Sequence, residues 1–119
     1  MGRNMRVIIA GGRDYSDYLE VVAAAQEWEY KMGIIELVCG EARGADSLGK
    51  RWATKEGREI HSFPADWDKH GKAAGHIRNA DMADFSDGLI AFWDGKSKGT
   101  KSMIDLALKN GLYVRVIRY

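Results

Sequence analysis

The chain has 119 residues, a formal net charge of +1 at pH 7 and a single cysteine, Cys39. This length indicates one domain over residues 1–119, and the near-neutral charge argues against a general DNA-coating role, which requires a basic face. No apolar run reaches the roughly 18 residues of a membrane span, so no membrane partner is expected. A lone cysteine excludes a disulfide framework and fits a reducing cytoplasm.

Apolar runs typical of strands alternate with helical patterns along the chain. Strands are predicted over residues 5–10, 34–39, 58–63, 88–92 and 112–118. The helices between them are predicted over about 17–33, 46–57, 72–84 and 100–111, with a longer loop over 64–71. Strands that alternate with helices imply right-handed crossovers and a parallel sheet.

Strand polarity predicts the order of that sheet. The first and fourth strands are the most apolar and are expected at the centre, whereas Glu59, His61 and Arg115 place the third and fifth strands at the edges. The result is a Rossmann-like three-layer α/β domain with a five-stranded parallel sheet in the order 3-2-1-4-5. In that order the chain reverses direction between strands one and four, and ligands bind at the carboxyl ends of strands beside such a switch point.

Two helix faces are predicted from the spacing of apolar residues. Leu19, Val22 and Ala23 are expected to form the buried face of the first helix. Trp28 falls opposite Leu19, off that face, and is a candidate for a subunit contact. The buried stripe of the last helix is predicted at Met103, Ile104, Ala107 and Leu108.

Loops rich in small residues follow three of the strands, at residues 11–15, 40–46 and 93–100. The carboxyl ends of parallel strands lie along one edge of a sheet, so these loops are expected to converge on one crevice. The third loop opens a helix, whose first N–H groups lack partners within the helix and lie at the positive end of its dipole. Such a loop is a ready site for a phosphate, although a plain surface turn is the alternative.

Backbone groups in these loops are the predicted contacts to the anion. The N–H groups of Ser97, Gly99 and Thr100 are expected to hold the phosphate. Gly11 and Gly12 lack side chains, so they are expected to let the ligand approach the sheet closely.

Three arginines, Arg13, Arg43 and Arg78, can lie near this crevice. The planar guanidinium matches the oxygens of a phosphate or carboxylate, and a weak surface ion pair is the alternative for each arginine. Arg78 is the strongest candidate because it lies beside the apolar face of its helix, where a charge requires a reason. Asp81, three residues further on, is its alternative partner.

Acidic and aromatic side chains also follow the strands. The acids are Asp14, Asp46, Asp66 and Asp94. Such acids hold sugar hydroxyls, orient a water or cap a helix. Capping is the expected role of Asp46. Asp94 is the strongest candidate for a role in the site, because it closely follows the central strand. Trp67 and Trp93 either stack on a base or pack as part of the core or a lid.

Several familiar kinds of site are excluded. Residues 95–97 resemble the end of a P-loop, but position 90, where that motif requires glycine, is Ile90. Residues 11–14 do not form the G-x-G-x-x-G of dinucleotide enzymes. The histidines show no metal-ligand spacing and no serine or cysteine nucleophile has a visible base, so no cofactor, metal or covalent catalysis is expected.

Five ordered motifs resemble the YspA-type family of the SLOG superfamily of Rossmann-like domains. They are VIIAGGRDY at 7–15, GAD at 44–46, PADW at 64–67, RNADM at 78–82 and AFWDGKSKGT at 91–100. The resemblance implies a nucleotide or nucleotide-derived ligand, such as a phosphorylated nucleoside or an ADP-ribose-like molecule. With the loops above, the expected ligand-binding set is Gly11, Gly12, Arg13, Asp14, Gly40, Arg43, Gly44, Ala45, Asp46, Asp66, Trp67, Arg78, Asn79, Trp93, Asp94, Gly95, Ser97, Gly99 and Thr100.

Members of the same superfamily differ in chemistry. The LOG phosphoribohydrolases cleave the N-glycosidic bond of nucleoside monophosphates with the motif P-G-G-x-G-T-x-x-E and an arginine on the preceding helix. Residues 94–100 and Arg78 resemble the binding half of that motif, but Met103 replaces its acid and cannot stabilise an oxocarbenium-like charge. A binding, sensing or sequestering role is therefore expected first. A glycosidase that uses Arg78 and Asp94 is the alternative, and a nucleic-acid-handling module is a third reading, because some SLOG relatives act on DNA. SLOG relatives often form dimers, so the resemblance also implies a homodimer, to which Trp28 is expected to supply a contact.

Overall fold

The computed structural model describes residues 4–119, and residues 1–3 of the predicted domain lie outside the described part. All strands of its five-stranded sheet pair in parallel, in the order β3-β2-β1-β4-β5. The strands are β1 (Met5–Gly11), β2 (Ile35–Cys39), β3 (Ile60–Ser62), β4 (Gly88–Trp93) and β5 (Tyr113–Arg118). This confirms the Rossmann-like α/β class and the strand order.

Helices connect the strands and cover both faces of the sheet. They are α1 (Tyr18–Met32), α2 (Ala45–Lys55), α3 (Trp67–His70), α4 (Ala74–Phe85) and α5 (Lys98–Lys109), with a 3-10 turn over Gly71–Ala73 before α4. The short helix α3 lies in the segment predicted as a loop, and Asp66 caps it by accepting a hydrogen bond from the Lys69 amide at 3.1 Å. Within residues 4–119, no helix has the length and apolarity needed to cross a bilayer.

Alternation along the strands separates two hydrophobic cores, because successive side chains of a strand point to opposite faces. Val7 and Ile9 of β1 pack on the face covered by α1 and α2. Ile8 of β1 packs with Met82 of α4 and Met103 of α5 on the other face. The sheet is therefore the middle of three layers, as its apolar central strands predict.

The buried face of α1 differs from the prediction. Leu19 is 77% exposed and Ala23 is exposed, whereas Val21, Ala25 and Trp28 are buried. The Trp28 ring fills the space beside Gly88 of β4, where a Cβ atom would collide with it. The assignment of Trp28 to a dimer contact is therefore wrong, since the side chain is 7% exposed; a homodimer itself stays a prediction.

The apolar stripe of α5 is narrower than predicted. Met103, Ile104 and Ala107 are buried against the sheet, but Leu108 is 59% exposed. The first turn of this helix, at Lys98, lies at the carboxyl edge of β4 and forms part of the candidate site.

Candidate anion-binding crevice

An open crevice of about 700 Å³ lies at the carboxyl ends of β1 and β4. This is the position where the chain reverses direction across the sheet, and open α/β sheets bind ligands there. The predicted residues that line it are Gly11, Gly12, Arg13, Asp14, Asp46, Trp67, Arg78, Asn79, Asp94, Ser97, Gly99 and Thr100. Asp46 and Ala42 come from the second small-residue loop, so residues of all three loops meet at one edge of the sheet.

The other predicted residues lie beside the crevice. Gly40 and Arg43 line an adjoining cavity of about 270 Å³, which shares Arg13, Trp67 and Arg78 with the crevice. Outside the lining of both spaces are Gly44, Ala45, Asp66, Trp93 and Gly95.

Some lining residues were missed by sequence reasoning. They are chiefly Lys72, Gly75, His76, Lys98 and Ser102. Gly75 and His76 precede Asn79 by four and three positions, so they share one face of α4 with it, whereas Lys72 lies in the 3-10 turn before that helix. That spacing was the available signal, and it indicates that the face of α4 toward the loops is polar.

The glycines of the first loop are required by the protein's own packing. A Cβ atom on Gly11 would collide with the Phe92 carbonyl, and one on Gly12 would collide with the Tyr119 hydroxyl. The Gly12 carbonyl also accepts a hydrogen bond from the Ala45 amide at 3.2 Å, which ties this loop to α2. Packing alone therefore favours glycine at both positions, most strongly at Gly11, where the colliding atom belongs to the backbone. Both glycines line the crevice, and their expected role of admitting a ligand stays a prediction.

Asp94 organises the third loop. Its Oδ1 accepts hydrogen bonds from the amides of Ser97 and Lys96, both at 2.8 Å. The hydrogen bond from Ser97, followed by that from Lys96, holds the pKa of the Asp94 carboxyl below its usual value. Ser97 in turn caps α5, because its hydroxyl accepts from the Thr100 amide at 3.5 Å, and its carbonyl accepts from the Trp93 indole at 3.0 Å.

These bonds change which amides are available to an anion. Ser97 and Thr100 already donate to side-chain oxygens, so two of the three predicted donors are occupied. The amides of Lys98 and Gly99 have no acceptor among residues 4–119, as expected for the first turn of a helix. Gly99 is exposed, and a Cβ atom there would meet nothing within 4 Å, so the positive end of α5 is open.

Basic side chains outnumber acidic ones around this opening. Arg13, Lys72, Lys98 and Arg78 line the crevice with Asp14, Asp46 and Asp94. Within the described part of the chain, the first three of these basic residues form no ion pair. Arg78 bonds to the Gly40 carbonyl and, through Nε at 3.0 Å, to Asn79 Oδ1 rather than to Asp81. The guanidinium is therefore fixed in place and keeps its charge available to the crevice.

Asp46 does not cap α2, contrary to the prediction. The N-cap is Gly44, two residues earlier, and Asp46 lies in the first turn of the helix, where it is 5% exposed. Its Oδ2 accepts from the Ala42 amide at 3.3 Å and so holds the bend that follows β2. Burial raises the pKa of Asp46 to about 6, even though the Ala42 amide and the Arg78 charge oppose that shift.

This raised pKa predicts a pH dependence of stability. The folded protein binds the Asp46 proton more tightly than the unfolded chain does. The free energy of unfolding therefore falls as pH rises from about 4 to about 6, and Asp46 causes no further fall above that range. Two pKa units correspond to at most about 3 kcal/mol. Urea titrations of the wild type and of Asp46→Asn test this dependence. The wild type should lose up to about 3 kcal/mol of unfolding free energy relative to Asp46→Asn as pH rises over this range. Parallel pH profiles would contradict the assignment, since all other carboxyl groups are common to both proteins.

One group of possible metal ligands lies away from the crevice. Oxygen and nitrogen atoms of Glu36, Glu59 and His61 lie within 4.8 Å of one another on β2 and beside or within β3. The spacing argument missed this group because its members come from neighbouring strands. His61 Nε2 contacts Glu36 Oε1 at 2.9 Å, an arrangement that a hydrogen bond explains without a metal.

An all-parallel sheet of this order, with a crevice at its switch point, defines a Rossmann-like α/β domain. Residues 5–70 match the model of the YspA, cpYpsA-related SLOG family. The chain is also 39% identical over 118 residues to the Gene 61 protein of Mycobacterium phage D29, covering 92% of this chain and 93% of that protein. The chain belongs to the YspA, cpYpsA-related SLOG family.

A solved structure shows the same fold at low identity. The X-ray structure of DNA processing protein A (DprA) from Streptococcus pneumoniae matches with a TM-score of 0.76 and 18% identity. The match covers 98% of this chain but 50% of that one, so this chain spans half the length of the DprA chain.

Proposed function

We propose that the crevice binds a nucleotide or nucleotide-derived molecule through its phosphate, and that the protein acts as a sensor, carrier or sequestering protein for it. The observation that carries this proposal is the pair of free amides, of Lys98 and Gly99, at the open N-terminus of α5. Free amides at the positive end of a helix favour phosphate. Family membership supports the proposal, because SLOG domains are thought to sense or process nucleotides.

Charge in the crevice favours the same ligand. The basic groups of Lys72, Lys98 and Arg13 have no ion-pair partners within residues 4–119, so they are available to neutralise a phosphate. Asp14 is exposed, and its Oδ1 accepts from the Tyr119 hydroxyl at 2.7 Å. Its second carboxylate oxygen is left to accept from a sugar hydroxyl. In this proposal Asp14 shares the role that the sequence assigned to Asp94 or Asp46. Asp94 holds its own loop through Oδ1, and Asp46 is buried.

The arrangement of carboxyl groups favours binding over glycosidic hydrolysis. Glycosidic hydrolysis uses two carboxyl groups, an acid on one side of the bond that breaks and a second carboxylate on the other. In this crevice Asp94 holds its own loop and Asp46 is buried, while the apolar Met103 lines the wall where LOG enzymes carry their acid. A LOG-like phosphoribohydrolase is therefore the second candidate.

Incubation with the four common ribonucleoside monophosphates separates these two functions. We expect calorimetry to detect binding of at least one of them, and chromatography to detect no free base above a protein-free control. Base release that disappears in Arg78→Ala would contradict the binding role and establish the hydrolase. If neither binding nor release occurs, the proposal is wrong.

A nucleic-acid-handling role is a third candidate, and the fold of DprA is the observation that favours it. The net charge of +1 opposes it, because proteins that coat nucleic acids present strongly basic faces. Single-stranded DNA is therefore expected not to bind at physiological salt. Binding that weakens steeply as salt rises would favour this candidate instead.

A further inference from the structure

The tryptophans of the chain have different surroundings. Trp28 and Trp52 are core residues, 7% and 2% exposed. Trp93 is half-buried, donates its indole N–H to the Ser97 carbonyl at 3.0 Å and has the Arg118 guanidinium 5.1 Å from its ring. Trp67, at the start of α3, is 52% exposed, and its indole forms no hydrogen bond or ring contact within residues 4–119. Of the two tryptophans that the sequence offered as stacking residues, the structure therefore leaves only this one available.

Trp67 lies where a ligand in the crevice would reach it. Its side chain borders both the crevice and the adjoining cavity. Between its ring and Arg78 lies Gly75 of α4, where an added Cβ atom would be 3.6 Å from Trp67 Cη2 and 4.0 Å from Arg78 Nη2. Glycine inside a helix lowers its stability relative to alanine, and here it leaves the Cη2 edge of the indole uncovered.

We propose that Trp67 stacks on the base of the bound nucleotide, so that the crevice selects nucleotides over sugar phosphates that lack a base. This inference rests on the proposed function, which supplies the phosphate contact at α5. An exposed indole presents a large flat apolar surface, and aromatic stacking accepts any base because every base has a π-face. Stacking of this kind changes affinity by about 5- to 150-fold per base.

The test compares AMP with ribose 5-phosphate, which carries the same phosphate and sugar but no base. We expect calorimetry to give at least about 10-fold tighter binding of AMP to the wild type. Trp67→Ala should weaken AMP binding by about 10-fold and leave ribose 5-phosphate unchanged. AMP should also quench the fluorescence of the wild type, whereas Trp67→Phe should bind AMP without that quenching.

Gly75→Ala is a second variant that separates binding from folding. Its methyl group would lie at ordinary contact distance from the Cη2 edge of the Trp67 ring, where it would crowd a stacked base, so it should weaken AMP binding more than ribose 5-phosphate binding. Alanine also favours the helix, so the variant should unfold at the same or a higher temperature than the wild type.

The possible failures differ from one another. Equal affinities of the wild type for AMP and ribose 5-phosphate would overturn stacking on Trp67 and leave the phosphate site standing. An AMP affinity that is unchanged in Trp67→Ala would likewise overturn stacking on Trp67 and leave the phosphate site standing. Failure of ribose 5-phosphate and of all four common ribonucleoside monophosphates to bind would overturn the proposed function together with this inference.

Discussion

Gly99→Asp is expected to weaken nucleotide binding by at least about 100-fold. The new carboxylate would lie beside the free amides of Lys98 and Gly99, where it accepts their hydrogen bonds and repels a phosphate. Two like charges 4 Å apart near a protein surface repel by about 4 kcal/mol, which exceeds the 2.7 kcal/mol, or about 100-fold, that this expectation requires. Titration calorimetry with AMP measures the loss.

The fold is expected to tolerate this substitution. A Cβ atom at Gly99 meets nothing within 4 Å, and an acidic residue in the first turn of a helix stabilises it by about 0.3–1 kcal/mol. The matched control is Gly99→Ala, which keeps the amide and should bind AMP within about 3-fold of the wild type while it stabilises α5 by up to about 1 kcal/mol. Wild-type affinity in Gly99→Asp would show that the anion does not bind at this helix.

Trp28→Ala is expected to lower the free energy of unfolding by about 3–5 kcal/mol, the usual cost of removing a large aromatic side chain from a core. The indole is 7% exposed and lies against Gly88 of β4, so its removal leaves a cavity beside the sheet. Leu19→Ala, on the same helix but 77% exposed, should change stability by less than about 0.5 kcal/mol.

Urea titrations of the two variants measure this difference directly. If Leu19→Ala were the more destabilising of the pair, the buried face of α1 would run through Leu19 and Trp28 would again be a surface residue. If both variants were neutral, α1 would not pack on the sheet as described.

The strand order was predictable because the position of a strand in the sheet determines how apolar the whole strand must be. Central strands are covered on both faces and must be apolar, whereas edge strands tolerate residues such as Glu59 and Arg115. The meeting of the first and third loops then follows from geometry, because parallel strands all end at the same edge.

Which face of α1 is buried was not predictable in the same way. Apolar residues stand at 19, 21–25 and 28, so more than one face of the helix is apolar enough to be buried. Space on the sheet decides between them, and the bare Gly88 on β4 admits the Trp28 ring. That information lies 60 residues away in the sequence.

Parts of the site depend on contacts that spacing does not reveal. The Asp94 side chain turns back onto the amides of its own loop, which removes Ser97 as a donor and leaves Lys98 and Gly99. Similarly, Ala45 begins α2 because its amide bonds to Gly12 in another loop, so Asp46 lies inside the helix and not at its cap. Local motifs identify such residues, but tertiary hydrogen bonds decide which of their atoms remain free.

The most direct measurement is an amide proton–nitrogen correlation spectrum recorded during titration with AMP. We expect the Lys98 and Gly99 amide resonances to move downfield and to saturate with the affinity found by calorimetry, while residues at the opposite edge of the sheet stay in place. If AMP binds but these two resonances do not move, the phosphate lies elsewhere and the N-terminus of α5 is not the site.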